Sequence, residues 1–456
     1  MKEYNIALAG TFDVENYGDL MFPEVFDRAM KKRDLKFNLF LFSPSDKAKE
    51  ALNESRMVYS FKDFEKLNDK YNFDALIIGG GALIHYRCLK VRFPDRIKRE
   101  EYYNVHSWIS LMYLASKNNI KIIFNLPQVP FEIPDELKNL TKIAFDQIDY
   151  FAVRDSFSKK YIEGLYSDNE KKPNIKVFPD TVCLVDELWD YALLEKLRKK
   201  KLGFDDKYMV FHFQYTEKVS EELFEELSKV VYDAKNKGLK VVLLPIGYTH
   251  GDEIIMKDFN KRCGGLCYFP NEKLTIEDMT AILSGCEYYV GMSFHGAIVS
   301  MSFGKYAFSV NHTLKNIEMY KTYNMSDNLA ESYEELLNKI DEEYCSKQSK
   351  KFPKEKISKM VNIHFDNLYD VIKRKKIKKK TPEIFLGEVF STISRLEARA
   401  RIQSEEICST ERRYEDVKKE LKNSKDDIKK IRSSRAFKIG CVLMFLPHKI
   451  MHLIRK

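Results

Sequence analysis

The feature that most limits what this chain can become is an alternation. Short apolar runs rich in Ile, Val and Phe recur along it, separated by stretches with helical spacing. Tyr4–Gly10, Phe37–Phe42, Ala75–Gly79, Lys121–Leu126, Tyr150–Val153 and Ile175–Phe178 predict strands, with helices at Met21–Lys31 and His106–Lys117. Continuous apolar runs suit strands buried on both faces, and strand–helix alternation builds a right-handed, mostly parallel sheet. After Asp180 and Thr181–Asp186 the pattern restarts. Lys207–Phe213, Leu239–Pro245, Leu266–Tyr268, Tyr288–Gly291 and Tyr306–Val310 predict a second set of strands, with helices at Ser220–Asn236 and Ile276–Ser284. Ser332–Lys347 and Ser358–Lys373 predict closing helices. The expected fold class is α/β: two Rossmann-like domains, residues 1–186 and 200–350, with a ligand cleft between them. A closing helix and basic linker would follow over 351–382.

The last part of the chain is of another kind. From Val371 onward it holds 24 Lys/Arg against 11 Asp/Glu, whereas the preceding residues carry a net −4. A mildly acidic body argues against a nucleic-acid substrate, because binding a phosphate backbone needs a basic surface on the domain itself. From Leu386 a heptad register runs to Ile431, with apolar residues at all seven a positions (Leu386, Ile393, Ala400, Ile407, Tyr414, Leu421, Ile428). It predicts a long helix over 386–432, roughly 70 Å at 1.5 Å per residue, and a coiled coil pairing subunits. Docking of that helix on the body is the simpler alternative. Ile439–Leu446 is an apolar run between basic residues, too short to span a bilayer. The 433–456 segment therefore predicts a basic amphipathic tail suited to peripheral contact with an anionic membrane, or to docking on the protein itself.

Eight scattered cysteines show no zinc spacing and no disulfide framework, so neither a metal site nor a cofactor is expected, and the compartment is expected to be the cytoplasm. The N-terminus leads into a strand without the apolar core of a signal peptide. Nucleotide P-loop, nucleophile-elbow and HExxH patterns do not occur, and the polar loop Gly10–Asp19 is not a dinucleotide fingerprint.

Candidate site residues collect where predicted strands end, the place at which open α/β sheets bind ligands. Tyr288–Gly291 leads into Met292-Ser293-Phe294-His295-Gly296, and a histidine there suits proton transfer or anion binding. Other candidates are Asn16, Gly18 and Asp19 after the first strand, and Gly80 and Gly81 after Ala75–Gly79. Arg154 and Ser156 follow Val153, Asp180 closes the first domain, and His250 and Asp252 lie in a loop after Pro245. An arginine so placed binds carboxylate or phosphate, or it forms a local salt bridge with Asp155.

Taken together, Asn16-x-Gly18-Asp19, Gly79-Gly80-Gly81, Val153-Arg154-Asp155-Ser156, Pro179-Asp180, the loop to Asp252 and Ser293-Phe294-His295-Gly296 resemble the polysaccharide pyruvyl transferase family. The resemblance covers about residues 4–320. It implies a GT-B-type pair of Rossmann-like domains and transfer of the enolpyruvyl group of phosphoenolpyruvate to sugar hydroxyls, giving a pyruvate ketal and phosphate. It implies His295 as catalytic group, with Asp19 assisting. Asn16, Gly18, Gly80, Gly81, Arg154, Ser156, Asp180, Asp252, Ser293, Phe294 and Gly296 would bind substrate. Many members have Arg-Leu-His where this chain has Ser293-Phe294-His295, so one donor-binding arginine is absent. The implied acceptor is a sugar or lipid-linked oligosaccharide of a surface polysaccharide, met at the cytoplasmic face of the membrane. Two other readings stand beside this one: a GT-B glycosyltransferase using a nucleotide sugar, and a non-catalytic scaffold built on the coiled coil.

Overall fold

A computed structural model of the chain describes residues 2–44, 56–85, 89–91, 100–102, 105–214, 219–310, 314–345 and 352–376, with scattered positions between 385 and 426. Compact units span Met1–Leu386 and Gly387–Lys456. The linker's end, most of the heptad segment and the whole 433–456 tail lie outside the described residues; the positions described at 417–420 and 422–426 are helical. No described helix is long and apolar enough to cross a membrane.

The first unit holds both expected sheets. In the first lobe, β1 (Tyr4–Ala9), β2 (Phe37–Ser43), β3 (Val58–Ser60) and β4 (Ala75–Gly79) are followed by an antiparallel hairpin, β5 (Leu89–Val91) and β6 (Glu100–Tyr102). Next come β7 (Lys121–Asn125), β8 (Ala152–Val153) and β9 (Lys176–Val177). The main sheet is parallel in the order β3-β2-β1-β4-β7. A bridge between Ile123 and Tyr150 ties the parallel β8-β9 pair to its edge. The second lobe has β10 (Tyr208–His212), β11 (Lys240–Leu243), β12 (Tyr288–Gly291) and β13 (Tyr306–Phe308), parallel in the order β11-β10-β12-β13. Every residue of β4, β7, β10 and β12 is buried, as their largely apolar sequences require.

Helices α1 (Tyr17–Lys31), α2 (Phe64–Tyr71), α3 (Val105–Lys117), α4 (Asp135–Phe145) and α5 (Ser156–Glu163) serve the first lobe. The short α6 (Val185–Leu188) and then α7 (Tyr191–Leu202) follow the crossing between sheets. The second lobe adds α8 (Glu221–Asn236), α9 (Asp252–Arg262), α10 (Ile276–Gly285), α11 (Phe294–Ser302), α12 (Leu314–Thr322) and α13 (Tyr333–Lys339). Finally α14 (Lys354–Lys373) lies against the first lobe, where Lys121 Nζ donates to the Ile372 carbonyl at 2.6 Å and Arg33 Nε to Asp366 Oδ1 at 2.8 Å.

Several expectations shift in detail. Strand pairing at Tyr150–Val153 shrinks to Ala152–Val153 plus the Tyr150 bridge, and Leu266–Tyr268 contributes only a bridge from Tyr268 to Val242. Both sit at sheet edges, where a neighbour on one side only fixes fewer residues. The Ser332–Lys347 helix closes at Lys339 and widens into a π-type turn over Ile340–Cys345. The last closing helix starts at Lys354 rather than Ser358.

One hydrophobic core runs through both lobes. It joins Leu8, Phe22, Phe26 and Ile77 of the first to Ile282, Tyr289, Ile298 and Met301 of the second. Helix α1 lies at the junction, and its Tyr17 Oη pairs with Thr280 Oγ1 of α10 at 2.8 Å.

Candidate active site

Loops at the carboxyl ends of both sheets build the site. The loop after β1 crosses directly onto the second lobe. Asn16 forms an antiparallel bridge with Gly247, the Tyr17 amide donates to the Ile246 carbonyl at 3.0 Å, and the Thr249 amide donates to the Glu15 carbonyl at 3.1 Å. Asn16 also caps α1, accepting from the Gly18 amide at 3.1 Å, while its amide nitrogen lies 3.3 Å from His250 Nε2. After β4, Gly80 and Gly81 both have positive φ. A Cβ on Gly80 would meet the Phe22 ring at 2.0 Å, so Gly80 serves close packing.

A cavity of about 240 Å³ opens between these loops. Thr11, Asn16, Asp19, Gly81, Arg154, Thr249, His250, Phe294, His295 and Lys315 line it, with three smaller apolar neighbours. A narrower pocket adjoins it, sharing Arg154, Phe294 and Lys315 and adding Gln128, Asp180 and others.

Behind the cavity, one oxygen of Asp180 organises the charged groups. Arg154 Nη1 donates to Asp180 Oδ2 at 3.2 Å. His295 Nε2 stands 3.7 Å from that same oxygen, too far for a hydrogen bond, and it is buried without another partner. Arg154 comes from the end of β8 and His295 from the first turn of α11, so the two lobes meet at this carboxylate. Burial alone would raise the Asp180 carboxyl, but His295 and Arg154 outweigh it and hold the pKa below the ordinary carboxylate value. Arg154 is further held by the Gln128 side-chain oxygen and by the Phe294 ring, 4.7 Å below its guanidinium.

The imidazole of His295 is wedged by rings. Phe22 meets it edge-on with centroids 5.5 Å apart, and Phe294 does so at 5.0 Å. Its Nδ1 lies over Gly18: a Cβ there would come within 1.8 Å of that atom. Asp19, one residue on, has its carboxyl pKa raised by burial, against the opposing pull of His295, Lys315, Thr11 and Arg154. The site thus pairs a carboxyl that accepts protons readily with an imidazole whose Nε2 is unengaged. Both stand beside cations that would hold an anion.

Of the residues singled out from sequence, Asn16, Asp19, Gly81, Arg154, Phe294 and His295 line the cavity, and Asp180 lines the adjoining pocket. Gly18, Gly80 and Gly296 act by leaving room; a Cβ on Gly296 would meet Tyr289 and Ile246 at 2.7 Å. Three residues lie elsewhere. Ser156 is exposed on the first turn of α5, which Asp155 caps. Ser293 spends its hydroxyl capping α11, accepting from the Gly296 amide at 3.3 Å. Asp252 is buried inside the second lobe, where its Oδ2 accepts from the Gly247 amide at 2.7 Å and meets His212 Nε2 at 3.0 Å. It braces the loop that carries His250 and does not line the cavity. Sequence reasoning missed Gln128 and Lys315, and passed over Thr11 as one residue of a polar loop. Their shared signal is a polar residue in a loop or first turn soon after the carboxyl end of a parallel strand. Among the described residues no group of three or more His, Cys, Asp or Glu is placed to hold a metal ion.

Comparison with known proteins adds two findings. A sequence profile of the polysaccharide pyruvyl transferase family matches residues 16–313. Among solved structures, the UDP-GlcNAc 2-epimerase of Methanocaldococcus jannaschii superposes with a TM-score of 0.52 at 12% identity, over 80% of this chain and 99% of its own. A glycosyltransferase from Rickettsia africae ESF-5 gives 0.50 at 14% identity, over 82% and 100%. The UDP-GlcNAc 2-epimerase of Neisseria meningitidis gives 0.52 at 8% identity, over 81% and 99%. At such identities the likeness speaks for the fold alone, the two-lobed GT-B arrangement. No curated protein matches the chain.

Proposed function

This chain belongs to the polysaccharide pyruvyl transferase family and is a transferase; from that premise we propose that it moves the enolpyruvyl group of phosphoenolpyruvate onto a sugar of a surface-polysaccharide intermediate, forming a ketal. The single observation that supports this most is Asp180 Oδ2, which gathers Arg154 and His295 from opposite lobes at one side of the cavity. The donor carries a carboxylate and a phosphate, and Arg154 offers a guanidinium whose geometry suits either.

In the proposed reaction, protonated His295 delivers a proton to the methylene carbon C3 as a sugar oxygen bonds to C2. The phosphate oxygen then leaves C2, and a second sugar hydroxyl closes the ketal. Asp19, with its raised pKa, takes a hydroxyl proton and passes it on. The two hydroxyl protons end on C3 and on the released phosphate, so no further reactant is required. Acid–base assistance of this kind contributes about 10²–10⁴ in rate.

The test is incubation of the purified protein with phosphoenolpyruvate and sugar acceptors. Phosphate release should depend on acceptor, and the product should be heavier by one pyruvate less one water. Consumption of a nucleotide sugar instead, with phosphoenolpyruvate untouched, would overturn the proposal in favour of glycosyl transfer.

A further inference from the structure

Lys315 stands on the first turn of α12, seven residues beyond the end of β13, and lines both the main cavity and the pocket beside it. Its surroundings are unusual for a lysine. Among the described residues its Nζ has neither a hydrogen bond nor an ion pair, yet it faces Arg154, a like charge. Its charge neighbours are those of the site itself, with Asp19 as the one carboxylate that favours it.

The charges near it leave a surplus. Asp180 serves two cationic groups through one oxygen, Arg154 at 3.2 Å and His295 at 3.7 Å. Arg154 has its other contacts in Gln128 and the Phe294 ring, neither of which carries charge. Ser293 contributes no charge and is turned to its helix. On the wall of the main cavity itself Arg154, Lys315 and His295 face one carboxylate, Asp19, while Asp155, Asp180 and Glu318 line the adjoining pocket. Two cations on the wall of one small cavity repel each other, and an anion between them relieves that repulsion.

We propose that Lys315 is a donor-binding residue that works opposite Arg154, so that each cation takes one of the two anionic ends of phosphoenolpyruvate. The assignment rests on the function proposed above and deepens it. Desolvation and the nearby Arg154 lower the Lys315 pKa while Asp19 opposes them, which is the state a bound anion would relieve. Lys315 also keeps solvent access, which suits a group that meets the donor on entry and releases phosphate on exit.

The experiment compares wild type, Lys315→Met, Lys315→Arg and His295→Gln. Titration calorimetry with phosphoenolpyruvate and with inorganic phosphate gives Kd, and steady-state phosphate release gives KM and kcat. Lys315→Met should raise Kd and KM for phosphoenolpyruvate at least ten-fold and leave kcat within a few-fold, the loss expected for one charged contact. Lys315→Arg should recover most of the affinity. His295→Gln should do the reverse, lowering kcat with KM nearly kept. Thermal melting within a few degrees of wild type establishes that each variant is folded. Wild-type affinity in Lys315→Met, within an active enzyme, overturns the assignment of Lys315 while the function stands. A wild-type protein that neither binds nor consumes phosphoenolpyruvate overturns the function, and the donor role of Lys315 with it.

Discussion

At Asp180 a buried carboxylate holds a guanidinium and faces an imidazole, so its charge and its shape can be separated by substitution. Asp180→Asn keeps the size and the capping oxygen that accepts from the Val182 amide at 3.0 Å. It removes the counter-charge of Arg154. Leaving one partner of a buried pair uncompensated costs about 3–5 kcal/mol. The variant should melt lower, and phosphoenolpyruvate should raise its melting temperature by more than it raises that of wild type, because the donor restores negative charge. An equal donor-induced shift in both proteins would speak against that role. Gly18→Ala isolates the placement of the imidazole. Alanine favours the helix, but its Cβ would fall within 1.8 Å of His295 Nδ1 and push the ring aside. The expected outcome is a stability loss of about 1–3 kcal/mol, because the ring is wedged between Phe22 and Phe294, with kcat down about 100-fold, read by melting and phosphate release. At this scale the strand ends pointed to His295 and Arg154, with Arg154 directly after Val153 and His295 four residues beyond Gly291. The sequence misdirected at Ser156, Ser293 and Asp252. A small polar residue near a helix start caps or braces as readily as it binds, and spacing alone does not separate these uses. Lys315 is marked only by its place seven residues beyond β13, in a polar run with no glycine beside it.

Among the elements, α14 carries the clearest pH signature. His364 on that helix is fully buried, with Nε2 2.8 Å from Asn125 Oδ1 and Nδ1 3.0 Å from Tyr150 Oη. Burial, with Lys176 and Arg33 adding to it, pushes its pKa down from 6.5 to about 3. Below pH 6.5 the unfolded chain takes up a proton at this residue that the folded chain refuses until about pH 3. Stability attributable to His364 is therefore full above pH 6.5 and is lost as the pH falls towards 3. His364→Gln should flatten that part of the stability curve in denaturant titrations at pH 4, 5, 6 and 7. A wild-type slope in the variant would place the acid sensitivity elsewhere. Interior strands were legible from their largely apolar runs. The short β3 and the β5–β6 hairpin were not, since three residues carry too little pattern to stand out from loop.

For the first unit as a whole, α14 is an integral wall. Ile357, Val361, Phe365, Leu368 and Ile372 are buried in the core shared by both lobes. At about 2 kcal/mol each, losing them removes an amount comparable to the entire stability of an ordinary domain. A chain ended at residue 353 should aggregate or melt without a cooperative transition, whereas one ended at residue 386 should give a single sharp one by calorimetry. The broad two-sheet plan was readable because the strand–helix alternation repeats on either side of Asp180. The common core was not, because periodicity reports which face of a helix is apolar and is silent about which sheet that face meets. That shared core, with the Asn16–Gly247 bridge and the Tyr17–Ile246 bond across it, has a consequence for recombination. Halves exchanged between relatives at the crossing near Asp180 would arrive with mismatched seams, so a working chimaera must take Glu15–Tyr17 and Ile246–Thr249 from the same parent.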